Sequence, residues 1–212
     1  MRVAWLLVVV GCGFHSQATV GEDAGAIADA ATTAPGDGSS DAATPIDLTQ
    51  CPATYATLLT GQTSRYRLIT DGHRAWEQSD ACAGDLPGHT HLVVLETKGE
   101  LTAVSALIDN SHLGISSNAV WVGAVQLATA LTPDTSWLGF DDQPLIDAWD
   151  HGEPNDAGGT EIDHREQFAR LDVGHNGLAD SQGGESRGAV CECDGKPLAV
   201  LAATTIDLYR VP

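Results

Sequence analysis

The order of segments along this chain predicts an α+β domain, with helices grouped early and an antiparallel sheet completed by the C-terminal half. Tyr66 to Ile69 alternates apolar and polar residues as a strand does, and after a polar Thr70-Asp71-Gly72 break a helical stretch carries Trp76 to Cys82. A second helix is better marked: Thr97 and Glu100 have capping-box spacing, and Leu101, Val104, Leu107 and Ile108 recur at helical intervals. A short apolar run, Val120-Trp121-Val122-Gly123, then leads into a long Asp-, Gly- and Pro-rich region. Gln167 to Leu171 and Gly188 to Cys191 are the later strand candidates. Leu198 to Pro212, with apolar and β-branched residues, suits either an edge strand or a loose end.

At 212 residues, 42% of them hydrophobic, the chain has room for one domain with flanking segments. Met1-Arg2 followed by apolar Val3 to Val10 is too short to span a bilayer and reads as an export signal over residues 1–11. Val9-Val10-Gly11-Cys12 resembles a bacterial lipobox, which implies a lipidated Cys12 and an exported lipoprotein of the outer membrane or cell surface. A plain secretory signal would give a secreted chain instead. Residues 12–50 are mostly Ala, Thr, Gly, Ser and Asp; Glu22, Asp23, Asp29, Asp37, Asp41 and Asp47 have no Lys or Arg between Gln17 and Thr49 to balance them. Such a segment cannot bury a core and is expected as a disordered, self-repelling tether. The folded domain is then 51–194, with 195–212 as a C-terminal tail.

A formal net charge of -19 with only 10 Lys and Arg excludes nucleic acid as a partner, and leaves the lipid anchor as the route to a membrane. With Cys12 set aside as an anchor, Cys51, Cys82, Cys191 and Cys193 are an even set in an exported chain and read as disulfides. Cys191-Glu192-Cys193 lacks the two-residue spacing of a soft-metal site. Between Lys98 and Arg165 there is no basic residue but histidine, while Asp134, Asp141, Asp142, Asp147, Asp150, Glu153, Asp156, Glu161 and Asp163 crowd the second half of that window. A loop of one sign is stable only when solvated or metal-loaded, and its oxygen donors suit a hard cation such as Ca²⁺ rather than zinc. His151, His164 and Glu166 lack the helical HExxH spacing of a zinc hydrolase, and no nucleophile elbow or phosphate-cradling Gly-Lys-Ser loop is present. A binding protein is expected, not an enzyme.

Several separated motifs, in order, resemble a C-type lectin-like domain from Cys51 to about Asp194. Tyr66, Trp76-Glu77 and Cys82 resemble that family's first strand and helix; Leu92-Val93-Val94-Leu95 and Glu100 resemble its second strand and helix. Trp121-Val122-Gly123 resembles the core "WIG" strand, Gly152-Glu153-Pro154-Asn155 the calcium and sugar motif, and Ala189-Val190-Cys191-Glu192 the terminal strand. The resemblance implies two helices packed on small antiparallel sheets beside a long calcium-binding loop region. It also implies a Cys82–Cys191 disulfide, worth ~4 to 5 kcal/mol from the entropy removed from the unfolded chain. Cys51 and Cys193 then lie just outside end strands that run side by side in that fold, and are expected to pair.

The same resemblance assigns Glu153 and Asn155 to a calcium ion and to vicinal sugar hydroxyls, in the mannose-type Glu-Pro-Asn arrangement. The proline between them suits a cis bond, which costs only ~0.5 to 1 kcal/mol before proline. Glu161 is the expected further ligand to metal and sugar, with Glu166 as the alternative to it at the metal. Asp180 completes the set within Leu178-Ala179-Asp180, where the family has Trp-Asn-Asp, so that Ala179 replaces one oxygen ligand. Phe168 and Gly183-Gly184 stand where an inner disulfide would lie, and Gly174 to Gly188 is expected as an unstapled, mobile loop. Trp76, Trp121 and Trp137 are expected in the core, with Trp149 equally suited to core or sugar stacking. The partner expected is a carbohydrate or surface glycoconjugate bound with Ca²⁺; the alternative is a calcium-independent domain that binds a protein.

Overall fold

The computed structural model describes residues 47–61, 63–110, 119–157 and 166–210. Cys12 and most of the 12–50 segment therefore lie outside the described residues. Strand β1 (Arg65–His73) runs through the Thr70-Asp71-Gly72 stretch that was expected to break it, and is followed by α1 (Ala75–Asp85) and the short β2 (Thr90–Leu92). Then come α2 (Lys98–Asn110), β3 (Ala119–Gln126), β4 (Trp137–Gly139), β5 (Phe168–Asp172), β6 (Gly177–Ser181), β7 (Arg187–Cys193) and α3 (Val200–Tyr209). The strands form a 7-stranded sheet of order β1-β7-β3-β5-β6, with β2 added on β7 and β4 on β3. Its pairings are antiparallel except β3 with β7, which run parallel at Val120–Gly188 and Trp121–Ala189. The α+β class holds, in one mixed sheet rather than small antiparallel sheets.

Helices α1 and α2 form where local chemistry closes their first turns and one face is apolar. Glu77 accepts the backbone N–H of Arg74 at 3.0 Å and closes the start of α1. The buried residues of α1, Ala75, Gln78, Ser79 and Cys82, follow helical spacing, and the Gln78 amide satisfies the Asp71 and Arg187 carbonyls at 2.7 and 2.9 Å. In α2 the Thr97 hydroxyl accepts the Glu100 N–H at 3.1 Å, while the Glu100 carboxylate accepts the N–H of Glu96 at 2.9 Å. The capping box therefore closes one residue earlier than its spacing suggests. Leu101, Val104 and Ile108 face the sheet below it.

Both faces of the sheet are covered, which explains why every residue of β3 is buried. Trp121 and Val125 join Phe140, Phe168, Cys82 and Ile206 on one side; Val120, Val122 and Ala124 join Leu101, Val104, Leu171 and Leu178 on the other. Gly123 has a packing reason. A Cβ there would meet the Leu92 carbonyl at 2.4 Å, and its own N–H donates to Val93 at 2.7 Å, so the segment after β2 passes directly against β3.

Both expected disulfides form, Cys82–Cys191 and Cys51–Cys193. The segment from Leu198 is neither an edge strand nor a loose end: it is α3, whose Ala202 and Ile206 are buried against the first of the two clusters. Its first turn is held from outside, because the Asp142 carboxylate accepts the N–H groups of Leu201 and Ala202 at 3.3 and 3.0 Å. Arg210 then reaches Asp80 of α1 at 2.6 Å.

Candidate functional site

The loop between β4 and β5 is fastened to the sheet edge at β6. Asp150 donates to the Leu178 carbonyl at 2.8 Å and Leu178 donates to Ala148 at 2.9 Å, which makes a short parallel bridge at Trp149. From that anchor the chain turns through Gly152, at φ 89°, into Glu153 and a cis peptide bond to Pro154. The Asn155 amide nitrogen donates to Glu153 Oε2 at 2.6 Å, so the two side chains flanking the proline meet.

Asp180, on β6, lies beneath this turn. Its Oδ2 accepts the backbone N–H groups of Asn155 and Asp156 at 3.0 and 2.7 Å. Glu166, just before β5, accepts the N–H of Ala157. Burial raises the Glu153 carboxyl to about 7, helped by its hydrogen bond to Asp180 and that residue's charge, while Arg170 pulls the other way. Burial likewise raises Glu166 to about 7, reinforced by Asp180 and Asp156 and opposed by the Ala157 N–H and Arg170. The turn thus gathers carboxylates that repel one another and would gain from a cation.

The structure brings Glu153, Asn155 and Asp180 to one turn, with Glu166 beside it at Ala157. Glu161 and His164 lie outside the described residues. Ala179 is buried opposite Arg170 on β5, so its methyl cannot supply the oxygen that an Asn would. His151 is exposed, and among the described residues no three His, Cys, Asp or Glu side chains form a ready metal cluster. Glu153, Asn155, Glu166 and Asp180 nevertheless present only oxygen donors of the kind a hard cation takes, provided the Asn155 amide turns its oxygen inward and water completes the shell. The donor set fits Ca²⁺ in chemistry, and these are the side chains that would hold it.

Beside Glu153 and Pro154 runs an open groove of about 540 Å³, floored by Trp137 and Trp149 and edged by Asp134, Asp147 and Asp150. The two indoles meet edge-to-face with centroids 4.8 Å apart, and the Trp137 N–H is pinned to the Pro133 carbonyl at 2.7 Å. Trp149 therefore serves both readings, half packed and half facing the groove. Sequence reasoning missed the groove and the place of Trp137 in it, because β4 is too short to show alternation. The stretch expected as a mobile loop instead contains β6, and the Phe168 ring packs against Gly183 where the disulfide is absent.

No family model and no curated protein matches this chain. Solved structures do match. Human lithostathine superposes with a TM-score of 0.54 at 18% identity, covering 68% of this chain and 98% of that one. The C-type lectin CEL-I from Cucumaria echinata gives 0.54 at 12% identity, with 68% and 96% covered. The cow C-type carbohydrate-recognition domain of CD23, crystallised in the presence of a GlcNAc2Man3 oligosaccharide, gives 0.51 at 22% identity, with 71% and 97% covered. These likenesses, with the helices and mixed sheet, show an α+β domain. The fold is the C-type lectin-like fold.

Proposed function

We propose that this protein is a surface-tethered, calcium-dependent carbohydrate-binding module. The observation that carries this reading is the meeting of the Glu153 and Asn155 side chains across Pro154, above an Asp180 carboxylate that holds the backbone of the same turn. Glu153, Asn155, Asp180 and Glu166 would hold Ca²⁺, with Glu161 as the further candidate. The bound ion would neutralise the carboxylates and accept sugar hydroxyl oxygens as ligands. Glu153, Asn155 and Glu161 would then hydrogen-bond the vicinal hydroxyls of a mannose-type ring, and the groove beside Trp149 gives the rest of a glycan somewhere to lie. Cys12 and the acidic segment after it would tether the domain to an outer membrane or cell surface.

Calorimetric titration of Ca²⁺ into chelator-treated protein, with Glu153→Ala alongside, tests the metal site. Saturable binding that the variant loses supports it, and retention on immobilised mannose that EDTA releases supports the sugar. No calcium binding, or retention indifferent to EDTA, refutes the mechanism. Ala179 favours one second reading, a calcium-independent domain that binds a protein, because it removes an oxygen ligand. Binding of that kind would be unchanged by Glu153→Ala.

A further inference from the structure

A second cavity, of about 220 Å³, opens between the turn after β6 and helix α3. Alternation along β6 puts Ser181 on the face opposite Asp180, and Phe168 pairs with Ser181, so this cavity lies across the sheet from the calcium turn. Rings from three elements wall it: Trp76 of α1, Phe168 of β5 and Tyr209 of α3. The Phe168 centroid is 6.3 Å from that of Trp76 and 5.7 Å from that of Tyr209. Gln167 and Gln182 bring amides to the same space, and none of the lining residues is charged.

Two observations mark it as a place for a ligand. Gln167 is 1% exposed, yet its Nε2 has no hydrogen-bond acceptor, while its Oε1 accepts from the Tyr209 hydroxyl at 3.4 Å. A buried amide donor is seldom left unanswered unless a ligand or water answers it. The glycines that follow Gln182 divide the remaining work. A Cβ on Gly183 would meet Phe168 at 2.5 Å and Trp76 at 3.1 Å, so its absence seats the rings; a Cβ on Gly184 would meet nothing within 4 Å, so the mouth stays open there.

We propose that this cavity binds one ring of a neutral sugar without calcium. A pyranose presents a C–H face that packs on the aromatic walls and hydroxyl oxygens that accept from Gln167 Nε2. A purely apolar guest would leave that donor unanswered. An anion would find no cation in the walls, because the nearby Arg74 guanidinium lies over the Trp76 ring, 5.5 Å from its centroid, and does not line the cavity. The volume admits a single ring, and the exposed Gln182 and Gly184 leave the rest of a glycan in solvent. The inference goes beyond the calcium reading and stands or falls separately from it.

Saturation-transfer NMR on the full chain in EDTA, with the methyl glycosides of glucose, galactose and mannose as probes, tests it. We expect transfer to ring C–H protons of at least one probe, with affinity in the millimolar range. Trp76 fluorescence should change over the same range. Gly184→Leu, which places its side chain in open space at the mouth, should weaken that binding more than tenfold while near-ultraviolet circular dichroism stays native. Gln167→Leu should weaken it as well. Absence of transfer from all three probes, or transfer that survives in a natively folded Gly184→Leu, overturns the proposal. EDTA in every arm keeps failure of the calcium site from being mistaken for failure of this one.

Discussion

Asp180 Oδ2 accepts the backbone N–H of Asn155 at 3.0 Å, so a strand carboxylate fixes the turn that carries the Glu-Pro-Asn motif. The same carboxylate stands near Glu153 and Glu166, whose proton affinities burial and this charge together raise. Without a cation the turn is held by hydrogen bonds and loosened by repulsion. Glu166→Gln keeps an acceptor for the Ala157 N–H and removes one charge. Its melting temperature in EDTA should exceed the wild type's by about 2 °C, a gain of roughly 1 kcal/mol or less after allowing for the solvent that reaches this loop. Saturating Ca²⁺ should then raise the variant's melting temperature less than the wild type's. Equal gains from calcium would remove Glu166 from the ligand set.

Tyr66 of β1 donates its hydroxyl to Glu100 Oε1 at 2.6 Å, and Glu100 in turn caps α2. Burial raises the Glu100 carboxyl, while the Tyr66 hydroxyl and the Glu96 N–H hold it down. Tyr66→Phe removes one of those donors from a buried carboxylate and should cost about 1.5–3 kcal/mol in urea denaturation near neutral pH. Because the ionised form is the one left uncompensated, the deficit should shrink as pH falls and Glu100 takes a proton. A deficit that does not change with pH would mean that lost packing, rather than the hydrogen bond, carries the effect.

The fold was legible where one residue type has one physical use. Trp121 within its apolar run and the start of α2 at Thr97 and Glu100 could be read directly, whereas four cysteines alone allow three pairings and the observed one was expected only from the family resemblance. α3 was not legible, because its start is capped by Asp142, far away in sequence, and because Thr204, Thr205 and Ile206 argue locally for strand. At the site, Glu153, Asn155 and Asp180 could be read from their motifs, but spacing along the chain could not choose between Glu161 and Glu166. Glu166 reaches the turn because β5 begins next to it and runs beside β6, which is a fact of topology rather than of spacing.

The two disulfides are nested, which changes what each contributes. Cys82 and Cys191 are separated by 109 residues, but with Cys51–Cys193 intact the shortest covalent ring they close runs through the outer bridge. That ring has roughly 33 residues, so the entropy model gives about 3.7 kcal/mol for the inner bridge, against ~4.8 kcal/mol for an isolated loop of its full length. Paired Cys82→Ala and Cys191→Ala should lose the smaller amount in guanidinium denaturation when the outer bridge is present. The larger loss should appear when the same pair is removed from a chain already lacking Cys51 and Cys193. Equal losses in the two backgrounds would show that native packing, rather than chain entropy, sets the value.

His91 of β2 is buried with acceptors at both ring nitrogens, the Leu92 carbonyl at 2.7 Å from Nδ1 and Asp194 at 3.2 Å from Nε2. Glu192 adds its charge from β7, and Lys196 binds the far side of Asp194 at 3.2 Å. Burial alone would lower the imidazolium, but the Asp194 hydrogen bond and the fields of Glu192 and Asp194 outweigh it and bring His91 to about 8 from 6.5. A histidine raised in the folded state lends stability that is whole below its unfolded value and is lost as pH climbs through its folded one. Burial also raises Glu192, helped by the Asp194 charge although His91 opposes it, so its ionisation on the way up in pH works in the same direction. The unfolding free energy should therefore fall by on the order of 1–2 kcal/mol between pH 6.5 and 8.5. His91→Gln, which stays neutral, should flatten the part of that slope owed to the imidazole while lowering stability at pH 6. A wild-type profile that is flat or rising across the same window would show that His91 is neutral in the folded protein, with Asp194 held by Lys196 alone.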